Sequence, residues 1–363
     1  MPKLLVKNLR KVFGTFEAVK DVSFQVEEKE TLCLLGPSGC GKTTTLRIIA
    51  GLEVPTSGEV FVDGRLVNDV PPQNREIGLV FQDYAIFPHL SVFENIAYGL
   101  RVRKMPLAQL KREVHETASL VGVDNILDVA GKKLSLSEMQ RVAVGRSIVL
   151  DPKLLLLDEP LSNIDAKARE KMRAELGKMQ KEIGIATVYV THDQLEAMTL
   201  ADRIAVMRNG LIDQIGTTGE IYDNGRTLFV AKFIGSPAMN LIDCELVYSE
   251  ERGVLKSEDL ALDITELGEA VRDKVEGKEL IFGIRPEDVS VEVHKTNSGA
   301  IEAAVQLAEP IGAKSIYHLK MGRITVLAKD YSMPDVGVGS KVWVTFNKDK
   351  IRLFDKKTEE AIL

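Results

Sequence analysis

Two kinds of apolar spacing alternate along the first two-thirds of the chain. Residues Thr31–Leu35, 154–157 and 187–190 are continuous apolar runs of strand length, the pattern of strands covered on both faces of a sheet. Between them the period becomes three and four. Leu107, Leu110, Val114, Thr117 and Val121 recur amid charged residues, within a region from about 85 to 150 whose pattern is helical. Asp165 can cap a further helix in which Met172, Leu176, Met179 and Ile183 form one apolar stripe, read as core. Residues up to about 84 mix short apolar runs with turn signals such as Asp63-Gly64. Residues 204–207 and 211–215 flank Arg208-Asn209-Gly210, a hairpin signal. After Gly235-Ser236-Pro237 the pattern changes to short alternating runs at Leu280–Ile284, 303–307, 316–319, 324–328 and Lys341–Phe346, which predicts a small β-barrel. The pattern therefore predicts an α/β domain over 1–235, with a helical subdomain at about 85–150, and an all-β domain over 236–363.

The apolar run at Thr31–Leu35 leads into Gly36-Pro37-Ser38-Gly39-Cys40-Gly41-Lys42-Thr43, which fits the phosphate-binding loop pattern, and Thr44 begins a helical stretch. Glycines let backbone N–H groups turn inward around phosphates at a helix N-terminus. Lys42 would neutralise the phosphates of ATP, and the Thr43 hydroxyl would ligate Mg²⁺. The run at 154–157 ends in Asp158-Glu159, two carboxylates delivered to one strand end: Asp158 to hold Mg²⁺ through water, Glu159 to polarise the attacking water as general base. Gln82 follows the run 78–81 and can accept from water or ligate Mg²⁺. His192 follows the run 188–191 and can donate to the γ-phosphate. A lone histidine is usually structural; the shared strand-end position of these residues argues otherwise.

With 363 residues, 45% hydrophobic and 28% charged, the chain has the size and composition of two or three globular domains. No apolar run reaches the length of a membrane span and residues 1–6 are too short for a signal peptide, which predicts a chain that stays with ATP in the cytoplasm. A net charge of −6 argues against a general nucleic-acid partner and against direct attraction to anionic lipid. Cys33, Cys40 and Cys244 have no metal or disulfide spacing. Cys33 reads as core. Cys40, beside a helix N-terminus, reads as a partly activated thiol.

Over almost its whole length the chain resembles the ATPase subunit of an ABC importer of the maltose, sugar, polyol and glycerol-phosphate class. The phosphate loop is one element of the match. Others are Val80-Phe81-Gln82-Asp83-Tyr84-Ala85-Ile86-Phe87-Pro88-His89-Leu90 around the Q-loop, and Leu157-Asp158-Glu159-Pro160-Leu161-Ser162-Asn163-Ile164-Asp165 as Walker B running into the D-loop. Thr191-His192-Asp193 matches the switch histidine, Phe13 the adenine-stacking aromatic, and Gly283-Ile284-Arg285-Pro286-Glu287-Asp288 the TOBE regulatory barrel. Gly235-Ser236-Pro237-Ala238-Met239-Asn240 resembles the junction leading into that barrel.

The resemblance implies a RecA-like core with a helical subdomain and an OB-like TOBE barrel. It implies two ATPase subunits closing head to tail, each ATP held between one phosphate loop and the other subunit's signature motif. The nucleotide contacts would come from Phe13, the loop from Gly36 through Thr44, Ser135 and Asp165. Partners would be two integral membrane permeases and, indirectly, an extracytoplasmic solute-binding protein, with the chain peripheral at the cytoplasmic face of the membrane. Residues 84–95 would line the permease-docking groove; Ala85, Ile86, Phe87 and Leu90 fit such a surface, and Phe87 equally fits subdomain core.

One motif departs from the family. Where it carries Leu-Ser-Gly-Gly-Gln, this chain has Leu134-Ser135-Leu136-Ser137-Glu138, followed by the usual Gln140-Arg141-Val142-Ala143. Glycine permits close backbone approach to a phosphate; Leu136 adds a branched side chain, and Glu138 is expected to set a negative charge near the γ-phosphate. Ser135 is retained as a donor. Two arrangements fit: a heterodimer with a second ATPase whose signature is intact, which the completeness of the remaining catalytic set favours, or a homodimer that tolerates the changes. A mainly regulatory ABC ATPase, or an importer for polyamines or anions, are the alternatives in function.

Overall fold

Six strands form the sheet that carries the phosphate loop. In spatial order they are Leu211–Thr217, Arg203–Arg208, Thr31–Leu35, Thr187–Thr191, Leu154–Asp158 and Ile77–Val80. Every neighbouring pair is parallel except the edge hairpin formed by the first two. Asn209 (φ 52°) and Gly210 (φ 83°) close that hairpin with two left-handed residues, the turn that matches strand twist. Thr31–Leu35, Leu154–Asp158 and Thr187–Thr191 are buried at every position, which is why they read as unbroken apolar runs. A second sheet is antiparallel, in the order Phe16–Val26, Leu4–Phe13, Ser57–Val62, Arg65–Leu66. One core joins both sheets to the helix Lys42–Ala50, with Leu46, Ile48 and Ile49 packed among Leu4, Leu32, Leu34 and Val188.

The computed structural model describes residues 1–249, 252–265, 279–295, 299–331 and 336–363. The helical region contains Val92–Val102, Leu107–Leu120 and Leu136–Ile148. Leu110, Val114 and Val121 of the sequence stripe are buried there, whereas Leu107, at the first position of its helix, is exposed. Met172, Leu176 and Met179 are buried along Ala166–Ile183, and Asp165 caps that helix by accepting from the Ala168 N–H at 3.0 Å. Among the described residues no helix is long and apolar enough to cross a membrane.

The chain divides into two compact units, Met1–Thr218 and Gly219–Leu363, an earlier division than the 235/236 boundary expected from the Gly-Ser-Pro break. Arg285 is one of several residues that make the difference, with Arg352, which donates to the Asp223 carbonyl, and Leu228, whose N–H donates to the Glu359 carbonyl. The buried Arg285 guanidinium donates to the carbonyls of Tyr222 and Ile234 and stacks on the Tyr222 ring at 3.8 Å, which helps to bind residues 219–235 into the second unit. After the short helices Thr218–Asp223 and Leu228–Phe233, that unit is built on two five-stranded antiparallel sheets. One runs Ala261–Asp263, Arg252–Lys256, Asn240–Ser249, Leu280–Ile284, Arg352–Asp355; the other Val289–Glu292, Lys341–Phe346, Ile301–Ile311, Lys314–Met321, Ile324–Asp330. Both close on one core that includes Leu255, Phe282, Ile284, Leu319, Val326, Val344 and Leu353.

Candidate functional site

The parallel strands of the first unit point the same way, so their carboxyl ends share an edge, and the crevice outside that edge is where ligands bind in open α/β sheets. Leu35 runs into the glycine-rich loop, Leu157 into Asp158-Glu159, Thr191 into His192, and Val80 toward Gln82. Gly36 cannot be replaced without moving backbone, because a Cβ there would lie 2.3 Å from the Met207 carbonyl oxygen. Gly41 has φ 105°, and a Cβ would lie 2.5 Å from the Ala18 carbonyl oxygen. The helix Lys42–Ala50 has Gly41 as its N-cap, no side-chain cap and no acid in its first turn. Its first N–H groups are thus available to an anion.

Buried Lys42 folds over the loop, donating from Nζ to the carbonyls of Gly36 (2.8 Å) and Pro37 (3.0 Å). Pro37, Ser38 and Gly39 are exposed at the loop's crest, while Thr43 and Thr44 are half-buried in the first helical turn. Cys40 is buried, and burial pushes its thiol above the ordinary range in spite of nearby Lys42. The expected activation is therefore corrected: loss of solvation outweighs the helix end and the ammonium. Cys33 is core, as its apolar strand position predicts.

Thr43 Oγ1 donates to Asp158 Oδ1 at 3.3 Å. Burial raises the Asp158 carboxyl, opposed by that hydrogen bond and reinforced by neighbouring Glu159. A hydroxyl and a buried carboxylate side by side are hard oxygen donors, a set that suits Mg²⁺ completed by phosphate and water oxygens. Glu159 has φ 45° and is held by its N–H on the Val190 carbonyl (2.9 Å). Its Oε2 faces His192 Nδ1 at 3.2 Å, and the imidazole is about 50% exposed. Gln82 is exposed. Its Nε2 donates to Ser162 Oγ at 3.0 Å, and Asn163 Nδ2 donates to its carbonyl at 3.0 Å, so it lies against the 161–165 loop with its amide oxygen left over. The Phe13 ring is 45% exposed beneath Lys11 Nζ, 4.7 Å from the ring centre.

Ser135 and Asp165 form a separate cleft. Together with Leu136, Ser137, Ile164, Ala168 and Met172 they line about 280 Å³, with no phosphate-loop residue among the lining. Ser135 caps the helix Leu136–Ile148 in a capping box. Glu138 Oε2 accepts from the Ser135 N–H and from Ser135 Oγ, both at 2.7 Å, and these bonds hold its carboxyl below the ordinary range. The carboxylate turns back onto its own helix end and engages the hydroxyl of Ser135, the residue expected to donate to a phosphate. Leu136 is exposed at the first helical position.

Sequence reading missed the residues that hold these loops. Arg146 donates to the carbonyls of Tyr84 (3.0 Å) and Ala85 (2.7 Å), both at positive φ, and stacks over Phe87. Asn95, fully buried, accepts from the Phe87 N–H and donates around the carbonyls of Phe87, Leu90 and Ser91. Burial lifts the Tyr84 phenol to about 12, leaving it a donor to the Pro160 carbonyl. Glu196, buried behind His192, also has its carboxyl raised by burial. Its only sequence signal is the Asp193-x-x-Glu196 spacing of a helix start.

Three family descriptions match the chain: an ABC transporter domain over 19–162, the MalK OB fold domain over 235–289 and, overlapping it, a TOBE domain over 282–354. The trehalose/maltose import ATP-binding protein MalK of Thermococcus litoralis is 44% identical, with 97% of each chain covered. The oligosaccharides import ATP-binding protein MsmX of Bacillus subtilis is 42% identical over the full length of both. An sn-glycerol-3-phosphate import ATP-binding protein of Bordetella avium is 42% identical over 89% of this chain and 87% of its own. Among solved structures, CbiO1 from Clostridium perfringens, part of an ABC transporter complex, matches with a TM-score of 0.56 and 28% identity, covering 61% of this chain and 90% of that one.

Proposed function

This chain belongs to the ABC importer ATPases that carry OB and TOBE domains, and on that premise we propose that it hydrolyses Mg²⁺-ATP to drive uptake of a sugar, polyol, glycerol or glycerol phosphate. The observation that carries the reading is the meeting of Lys42, Thr43, Asp158, Glu159, His192 and Gln82 at one sheet edge. Lys42 leaves the loop carbonyls to meet the β- and γ-phosphates. Thr43, Asp158 and Gln82 would hold Mg²⁺, which would supply positive charge to offset the charge of the phosphates. Glu159 takes a proton from the attacking water as the water oxygen bonds the γ-phosphorus and ADP leaves. His192 donates to the γ-phosphate and, through its contact with Glu159, fixes the base in place. Phe13 stacks the adenine.

The relatives that import sugars and glycerol phosphate support the solute class, and they support partnership with two permeases and a solute-binding protein at the cytoplasmic face of the membrane. A second ATPase with an intact signature is the favoured companion, because Leu136 and Glu138 make this chain's own signature a poor receiver of phosphate. A homodimer is the other arrangement. Glu159→Gln tests the catalytic reading. Mg²⁺-dependent turnover is expected to fall about 10²-fold or more while ATP binding persists. Parental turnover in that variant would remove Glu159 as the base.

A further inference from the structure

Glu196 is 2% exposed, and nothing in the hydrolysis described above uses it. A buried carboxyl group is unfavourable unless hydrogen-bonded, so its partners matter. Oε2 accepts from two hydroxyls of the strand that ends at the histidine: Tyr189 OH at 2.8 Å and Thr191 Oγ1 at 2.7 Å. Thr191 Oγ1 in turn accepts from the Asp193 N–H at 3.0 Å. Asp193 Oδ1 accepts from the N–H groups of Leu195 (2.8 Å) and Glu196 (3.2 Å), which closes the turn. His192 is thus bracketed by two residues that lead back to one buried carboxyl group. Arg169 ties the bracket to the 161–165 loop, lying 3.4 Å from Asp193 Oδ2 and donating to the Ile164 carbonyl at 2.9 Å.

We propose that Glu196 is a positioning residue for His192. By holding Thr191, and through it Asp193, it fixes the backbone on both sides of the histidine and keeps the half-exposed imidazole against Glu159. A free imidazole would swing about its Cα–Cβ bond, and the hydrogen bond to the γ-phosphate would form in only a fraction of encounters. Tyr189 OH serves the same carboxyl group from the strand interior and does not touch the residues flanking His192. The inference rests on the reading of His192 as a γ-phosphate contact.

The test uses the full chain in its transport complex, with steady-state ATP hydrolysis and ATP binding measured on each variant. Glu196→Gln is expected to lower kcat about tenfold or more, with KM for ATP within about twofold of the parent. Thr191→Val should reproduce that loss, and Tyr189→Phe should not. In a His192→Ala background Glu196→Gln should cost nothing further, since both act through one contact. Parental kcat in both Glu196→Gln and Thr191→Val would overturn the proposal, as would a Glu196→Gln loss that is as large without His192 as with it. If Glu196→Gln lowers the yield of folded protein, Thr191→Val, which changes no charged group, carries the comparison. Parental turnover in His192→Ala alone would overturn the role given to the histidine, and this inference with it.

Discussion

At position 138 an acid stands where the family's signature carries an amide, and its carboxylate completes a capping box with Ser135. Gln serves the same position of such a box. Glu138→Gln therefore removes the charge and leaves the cap. Its thermal midpoint should stay within about 2 °C of the parent, since the helix loses at most a few tenths of a kcal/mol. Turnover in the complex should rise about fivefold if the charge opposes phosphate, because an exposed charge interaction is worth up to about 1 kcal/mol. Unchanged turnover would show the charge to be harmless where it lies. Most of the candidate site was legible at this scale, because Lys42, Thr43, Asp158, Gln82 and His192 sit at fixed offsets from apolar runs. Glu196 was not. A carboxylate in the first turn of a short helix looks like any solvent-facing acid, and only its burial beside Tyr189 and Thr191 reveals otherwise. Cys40 fails for the same reason: proximity to a helix end is readable, desolvation is not.

Elements came through where burial imposes a period. The three fully buried strands and the stripe along Ala166–Ile183 follow directly from apolar spacing, and the hairpin at 203–217 from its Asn-Gly turn. In the second unit the runs at Leu280–Ile284, 303–307, 316–319, 324–328 and Lys341–Phe346 are strands as predicted, but shorter ones escaped notice. Arg352–Asp355 pairs with Leu280–Ile284 across a long stretch of chain, and its four residues are too few to show an alternation. Loop 84–91 is held from outside its own sequence, by Arg146 and Asn95. Asn95 is the stronger test, since it answers both the N–H and the carbonyl of Phe87 from a fully buried site. Asn95→Ala should destabilise the chain by about 2–4 kcal/mol in urea unfolding, because it leaves several buried backbone groups unsatisfied. If this loop docks a permease, the same variant should also lose stimulation by permease while its uncoupled hydrolysis is retained. An undiminished unfolding midpoint would mean that the loop finds other partners.

For the whole molecule, the question left by these elements is what faces each surface. The first unit brings Lys42, Thr43, Asp158, Glu159, His192 and Gln82 to one sheet edge, and its signature carries Leu136 and Ser137 in place of two glycines and Glu138 in place of an amide. A head-to-tail pair of such chains would place two complete phosphate loops against two altered signatures. Pairing with a chain of intact signature would instead make one good site from this chain's Lys42, Glu159 and His192, and one poor site from its signature. The two arrangements differ in composition, so composition decides. Purified from its membrane in mild detergent, the complex should contain one copy of this chain, one of a second ATPase, and two permeases. Restoring Leu136→Gly, Ser137→Gly and Glu138→Gln should then raise turnover by activating the second site, at a stability cost of up to about 1 kcal/mol for each glycine introduced. Two copies of this chain with no other ATPase would rule out the mixed pair. In that case the same three substitutions would act on both sites at once, and any gain in turnover would measure how far a self-capped Ser135 can still serve a phosphate.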